Sequence, residues 1–138
     1  MNQTDFFGAK LRYEIDACDL NRAIKEYGNM YEIIDTRSKK AFDLEHIKGA
    51  LNIPYGLMNE EILKQLDKSK IYITYCDGFG CNASTKGALK LSELDFKVKE
   101  LIGGIESWKY EGHEISSNLS VEEYNEMMAC GPACSCHG

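Results

Sequence analysis

The sequence predicts an α/β domain with a mainly parallel central sheet and helices on both of its faces. Three observations carry that expectation. Short runs rich in β-branched and aromatic residues alternate with segments of helical periodicity, at a spacing that suits right-handed βαβ crossovers. The chain has 138 residues, enough to build one ordinary core without metal or disulfide staples. Apolar residues make up 43% and charged residues 28%, a globular profile with no internal repeat or low-complexity linker.

The elements follow in order. Asp19 to Gly28 reads as a helix, with Leu20, Ala23, Ile24 and Tyr27 on one face, Asp19 as its cap and Gly28 as its stop. Tyr31 to Asp35 reads as a buried strand, followed by the polar segment Thr36 to Lys40. Ala50 to Pro54 is a second short strand, ended by its proline. Asn59 to Asp67 is a short helix that turns Ile62, Leu63 and Leu66 inward. Ile71-Tyr72-Ile73-Thr74-Tyr75 is the clearest strand, because every residue is β-branched or aromatic. It runs directly into Cys76-Asp77-Gly78-Phe79-Gly80-Cys81-Asn82, after which Ala83, Ala88, Leu91 and Leu94 mark a helix. Val98 to Ile102 is a strand, Gly103-Gly104 a turn, and Ile105 to Tyr110 a short helix with the single tryptophan, Trp108. Residues 1–115 form the domain on this reading, and 116–138 are a C-terminal helix, opened by the capping box Ser120-Val121-Glu122-Glu123, and a cysteine-rich tail.

Charge and composition exclude several classes of function. The net charge is −6, so no basic field draws nucleic acid or anionic lipid. The aromatic residues are not interleaved with Lys and Arg, which argues against a single-strand nucleic-acid platform. No apolar run approaches the roughly 20 residues that span a bilayer. Met1 to Phe7 has neither a basic leader nor an apolar stretch, so a cytoplasmic location is expected. Under that expectation the cysteines at 18, 76, 81, 130, 134 and 136 are better read as reactive or metal-binding thiols than as a disulfide scaffold.

Cys76 is the central candidate. It follows a strand and precedes a helix, where successive backbone N–H groups and the positive helix end favour an anion. A thiolate is such an anion, and this setting lowers a thiol pKa from its reference of about 8.5. Gly78 and Gly80 fit a tight loop that needs positive φ or a close backbone approach. The plain alternative is a buried structural cysteine beside an ordinary turn.

Four stretches, in order, resemble the rhodanese-like sulfurtransferase family. They are Ile33-Ile34-Asp35-Thr36-Arg37, His46-Ile47-Lys48-Gly49-Ala50-Leu51-Asn52-Ile53-Pro54, Tyr75 to Cys81, and Leu101-Ile102-Gly103-Gly104-Ile105-Glu106-Ser107-Trp108. The resemblance covers about residues 13 to 115. It implies a rhodanese-like fold and covalent catalysis in two half-reactions, in which Cys76 takes a sulfane sulfur as a persulfide and passes it to a thiol or cyanide. It also implies that backbone amides of Asp77, Gly78, Phe79, Gly80, Cys81 and Asn82 cradle the transferred sulfur.

The loop departs from the family in its charges. Basic side chains usual there are missing, Asp77 follows the nucleophile, and Cys81 stands where an arginine is common. A carboxylate that points toward the sulfur disfavours both a thiolate and a dianionic donor. A protein or low-molecular-weight persulfide is therefore the expected donor rather than thiosulfate. Asn82 occupies the position of the arginine in Cys-x5-Arg phosphatases, so phosphoryl transfer is not supported. Cys81 has two open readings: a thiol that resolves an oxidised Cys76 as a disulfide, or a small apolar plug beneath the loop.

Asp35 and Arg37 are expected to shape the site from beneath rather than to react, and His46 to be structural. Trp108 reads as a core anchor or pocket wall, while Cys18 and His113 have no assigned partner. Cys130, Cys134, Cys136 and His137 form a soft-metal ligand set in composition, although without the Cys-x2-Cys spacing of a zinc ribbon. A thiophilic metal, a mobile thiol arm serving Cys76 and a tail without a role stay open. No organic cofactor is expected, because neither a dinucleotide fingerprint nor a Walker loop is present. The expected partners are a sulfane-sulfur donor and a thiol acceptor, with no nucleic acid and no membrane. The alternative, from another class, is a non-catalytic thiol or metal-binding module on the same scaffold.

Overall fold

A computed structural model describes residues 1–129. In chain order the elements are α1 (Gln3–Tyr13), β1 (Glu14–Ile15), α2 (Ala17–Tyr27), β2 (Tyr31–Asp35), α3 (Lys39–Leu44), β3 (His46–Ile47), β4 (Leu51–Asn52), α4 (Glu60–Leu63), β5 (Ile71–Tyr75), α5 (Ala83–Glu93), β6 (Lys97–Leu101), α6 (Gly104–Tyr110), β7 (Ile115–Ser116) and α7 (Val121–Ala129). Five strands form one sheet in the order β1-β6-β5-β2-β4, and each neighbouring pair is parallel. β3 and β7 make a separate antiparallel ribbon. The expected parallel α/β architecture is thus present, with β5 at the sheet centre.

Alternation along the strands divides the core into two layers. Ile33, Ile73 and Tyr75 pack with Ala17 and Leu20 of α2 and Ile105 and Trp108 of α6. Ile34 and Tyr72 face the other way, against Leu63 of α4, Leu91 of α5, Met58 and Phe96. The start of α5 is pinned to two strands. Thr74 Oγ1 donates to the Ser84 carbonyl (2.9 Å), and the Ser84 and Thr85 hydroxyls both donate to Glu100 Oε2 (2.6 Å each).

Several boundaries differ from expectation, each for a local reason. α2 begins earlier than read because Asp16, not Asp19, is its cap, accepting the Asp19 N–H at 2.8 Å. Gly28 caps the C-terminal end of α2, as read, and also opens a short 3-10 turn. The strand expected over 50–54 pairs only at Leu51–Asn52, and the helix expected over 59–67 is the single turn Glu60–Leu63, in which Leu63 alone is buried. The expected strand 98–102 lies at Lys97–Leu101. The polar stretch after β2 holds a helix, α3, capped by Ser38 at the Ala41 N–H. None of the helices among the described residues is long and apolar enough to cross a membrane.

α7 starts at the expected capping box: the Ser120 Oγ accepts the Glu123 N–H at 3.1 Å and the Ser120 N–H donates to Glu123 Oε1 at 3.2 Å. Its residues are not buried. The Tyr124 hydroxyl donates to Glu45, whose carboxylate also pairs with Lys109 of α6. Cys130, Cys134, Cys136 and His137 lie outside the described residues.

Burial opposes the charge of Glu45, yet the hydrogen bonds from Lys109 and Tyr124 hold its carboxyl below the ordinary carboxylate range. A lowered folded pKa contributes stability above the unfolded value and loses it as pH falls through the folded one. The protection of α7 amides against hydrogen exchange, relative to the unfolded chain at the same pH, should therefore fall in acid, and Glu45→Leu should lower it likewise at neutral pH. Equal protection of α7 in both proteins at neutral pH would contradict this anchoring.

Candidate active site

Cys76 lies one residue past the carboxyl end of β5, the position where open parallel sheets present ligands. The strand end is held from the side by Thr36, whose N–H and Oγ1 both donate to the Tyr75 carbonyl (3.0 and 2.7 Å). The loop that follows is held by α6. The N–H groups of Ile105 and Glu106 donate to the carbonyls of Cys76 and Asp77 (3.0 Å each). Because N–H and C=O point opposite ways across a trans peptide, this turns the amides of Asp77 and Gly78 away from α6.

Gly103 and Gly104 make that contact possible. Both have positive φ (+82° and +57°), and a Cβ on Gly104 would lie 2.4 Å from the Cys76 carbonyl oxygen and 2.7 Å from the Asp77 carbonyl carbon. Gly78 lacks the conformation expected of it. Its φ is not positive, but a Cβ there would meet Glu106 Oε2 at 2.6 Å. Gly80 also lacks positive φ, and nothing lies within 4 Å of where its Cβ would sit. The carboxylate of Glu106 thus rests against the loop. Sequence reasoning missed this residue; the available signal was an acidic side chain in the first turn of a helix that begins at the loop.

Cys76 and Cys81 are joined as a disulfide with a Cα–Cα distance of 6.3 Å. The Cys81 N–H donates back to the Gly78 carbonyl (3.2 Å), closing a turn over the intervening residues. In this form the Cys81 amide is therefore used within the loop instead of being offered to a ligand. Cys76 is 1% exposed, Cys81 is half-buried, and Phe79 stands at the rim, 85% exposed. Asn82 precedes α5 without a capping side-chain hydrogen bond.

Asp35 and Arg37 meet beneath the loop. Arg37 Nε and Nη2 donate to the Asp35 carboxylate (3.0 and 2.8 Å), and Nη1 reaches Asp77 Oδ1 at 3.3 Å. The loop sequence has no cation, but the fold supplies this one from the end of β2, and Asp77 turns toward it. The Tyr75 hydroxyl donates to Asp35 Oδ2 (2.6 Å) and accepts the Ile47 N–H (3.1 Å). Burial works against the Arg37 charge, but hydrogen bonding and charge from Asp35, with Tyr75 and Asp77, raise its pKa beyond the ordinary arginine value. Burial, reinforced by the Asp35 charge, likewise pushes the Tyr75 phenol well above its usual range, which keeps it a donor.

The remaining residues sit farther from the sulfur chemistry. His46 Nδ1 lies 2.7 Å from the Phe42 carbonyl and its ring stacks on Phe42 at 3.8 Å. Trp108 is buried and its Nε1 donates to the Glu114 carbonyl (2.8 Å), while His113 packs against the same indole at 4.8 Å. Cys18 is an exposed thiol in the first turn of α2. Among the described residues no group of His, Cys, Asp and Glu is arranged to hold a metal.

Two substitutions, with a third as control, test this construction. Gly104→Ala should destabilise by at least the roughly 1–3 kcal/mol of a left-handed non-glycine residue, and should also shift the loop amide resonances around Cys76. Gly112→Ala, at φ +80° with open space around it, should show the backbone cost alone. Identical loop spectra in the two variants would contradict the close contact. Tyr75→Phe leaves the Ile47 N–H without its buried acceptor and takes one donor from Asp35, which keeps Arg37, so denaturant unfolding should show a loss of about 1–3 kcal/mol; an unchanged midpoint would contradict it.

Comparison with known proteins agrees with this geometry. The rhodanese-like domain family matches residues 16–111. The chain is 36% identical over 78 residues to the thiosulfate sulfurtransferase GlpE of Coxiella burnetii, covering 56% of this chain and 70% of the relative. It is 30% identical over 96 residues to a probable molybdopterin-synthase adenylyltransferase of Porphyra purpurea, covering 69% of this chain but only 25% of that protein. Among solved structures, the BH2092 protein of Bacillus halodurans superposes with a TM-score of 0.79 at 37% identity, covering 89% of this chain and 96% of its own. A rhodanese-related protein of Thermoplasma volcanium does so with a TM-score of 0.66 at 30% identity, covering 75% of this chain and 97% of its own. The chain belongs to the rhodanese-like domain family.

Proposed function

We propose that the chain is a sulfurtransferase or persulfide carrier in which Cys76 holds the sulfur in transit. The observation that carries this reading is the placement of Cys76 at the end of the central strand, in a loop whose carbonyls are committed to α6 and whose first amides turn the other way. Such amides lower the cost of an anionic sulfur. The thiosulfate sulfurtransferase relative supports the reaction class.

In the first half-reaction the Cys76 thiolate attacks the outer sulfur of a donor R–S–S⁻. The donor S–S bond breaks, R–S⁻ leaves with the electron pair, and Cys76 becomes a persulfide. In the second, an acceptor thiolate attacks that outer sulfur and Cys76 leaves as thiolate, so the cycle needs no net redox partner. The reduced thiol is the working form, because the disulfide occupies the Cys76 sulfur.

The charges around the loop bear on the donor. Arg37 is committed to Asp35 and Asp77, and the Glu106 carboxylate lies against Gly78. This setting opposes a dianion such as thiosulfate and favours a persulfide of lower charge. Incubating reduced Cys81→Ser protein, which cannot close the Cys76–Cys81 disulfide, with a low-molecular-weight persulfide should add the mass of one sulfur at Cys76, and Cys76→Ser should abolish it. Thiosulfate should load the site less well. A sulfur adduct that survives in Cys76→Ser, or no adduct from any donor, would contradict the proposal.

A further inference from the structure

We propose that Cys81 discharges the Cys76 persulfide as hydrosulfide, which makes the site a sulfide-releasing persulfide reductase as well as a carrier. This rests on the persulfide reading of Cys76 above and adds a second outcome for the same sulfur.

The geometry for the step is already present. The Cα atoms of Cys76 and Cys81 are 6.3 Å apart, within the range that a disulfide bridges. The turn closed by the Cys81 N–H on the Gly78 carbonyl brings residue 81 back over residue 76. The loop end at residue 76 is fixed by the α6 amides, and α5, which follows residue 81, is fixed through Thr74, Ser84 and Thr85. An attacking thiol held this way has a large effective concentration over any external acceptor.

In the step, the Cys81 thiolate attacks Cys76 Sγ, the inner sulfur of the persulfide. The bond between Cys76 Sγ and the sulfane sulfur breaks, and the Cys76–Cys81 bond forms. The sulfane sulfur leaves with the bonding electrons and takes the proton given up by the Cys81 thiol, so it departs as hydrosulfide. The two cysteine sulfurs are oxidised to the disulfide and the sulfane sulfur is reduced to sulfide. A hydrosulfide is a less basic leaving group than an alkyl thiolate, which favours departure in this direction.

Turnover then needs a thiol or dithiol reductant. Cys81 is the more exposed partner, whereas Cys76 is buried. A reductant thiolate attacking Cys81 Sγ expels Cys76 as the leaving thiolate, and a second thiol clears the mixed disulfide. The reductant is oxidised to its own disulfide, and the site returns to its reduced form.

The test is a single turnover without oxygen or added thiol. Fully reduced wild type, Cys81→Ser and Cys76→Ser are exposed to a low-molecular-weight persulfide, freed of excess donor and analysed by peptide mapping, with sulfide trapped and counted. The wild type should lose two hydrogens at a Cys76–Cys81 crosslink and release one equivalent of sulfide above the Cys76→Ser blank. Cys81→Ser should hold one extra sulfur at Cys76, with its sulfide reduced to the blank. A wild type that keeps its persulfide as long as Cys81→Ser does would overturn the inference and leave Cys76 as carrier. A Cys81→Ser protein that holds the donor's whole thiol instead of a single sulfur would also overturn it, because the crosslink would then arise from a mixed disulfide. Absence of sulfur on Cys76 in Cys81→Ser, together with neither crosslink nor released sulfide in the wild type, would overturn the carrier reading and this inference together.

Discussion

The hydrogen bonds from the start of α6 to the loop after β5 are the constraint on which the site depends. Ile105 and Glu106 give their amides to the carbonyls of Cys76 and Asp77, and that pairing sets the direction of the two peptides that follow the cysteine. It satisfies helix-terminal N–H groups that would otherwise lack partners. It also requires glycine at 104, where α6 approaches the loop backbone more closely than a side chain permits, and at 103, where a Cβ would strike the Ser107 side chain. A short motif at the far end of the domain is therefore part of the cysteine site, although it contributes no reactive side chain.

Beneath the loop lies a buried charge network that joins two strand ends. Asp35 at the end of β2 receives Arg37 and the Tyr75 hydroxyl, and Arg37 continues to Asp77. A buried ion pair is weak evidence for stability in itself, since desolvation offsets much of the attraction. Its consequence here is positional. The guanidinium places Asp77, and with it the first peptide after Cys76, relative to β2. Asn52 extends the arrangement by donating its amide to the carbonyls of Asp35 and Arg37 (3.1 and 3.0 Å). The Asp77 charge is thereby directed toward a cation.

The sequence was most legible where burial and pattern coincide. β2 and β5 lie at the residues read from their apolar runs, and the Ser120 capping box forms as written. α1 escaped reading because it buries none of its residues and so shows no apolar stripe; only Asn2 and Asp5, which cap it reciprocally, marked its start. The β3–β7 ribbon is too short for a periodicity signal, and its two strands lie far apart in sequence. In the site, Cys76, its loop and the pair Asp35–Arg37 were visible as motifs. The contact of Arg37 with Asp77 and the seat of Glu106 against Gly78 were not, because both are made between segments that meet only once the sheet and α6 are assembled. The reason for Gly78 was misread on the same ground: the crowding comes from a distant helix rather than from the turn itself.

Backbone orientation, more than any cationic side chain, is assigned the task of holding Cys76 as a thiolate, and the ionisation of that sulfur is the most direct measure of it. Reduced protein should be titrated by the pH dependence of alkylation at Cys76, followed residue by residue with mass spectrometry. The result expected is a midpoint clearly below the thiol reference of about 8.5, and clearly below that of the same thiol in unfolded protein. A midpoint equal to the unfolded one would mean that the loop confers no nucleophile, and the sulfur chemistry assigned to it would fall.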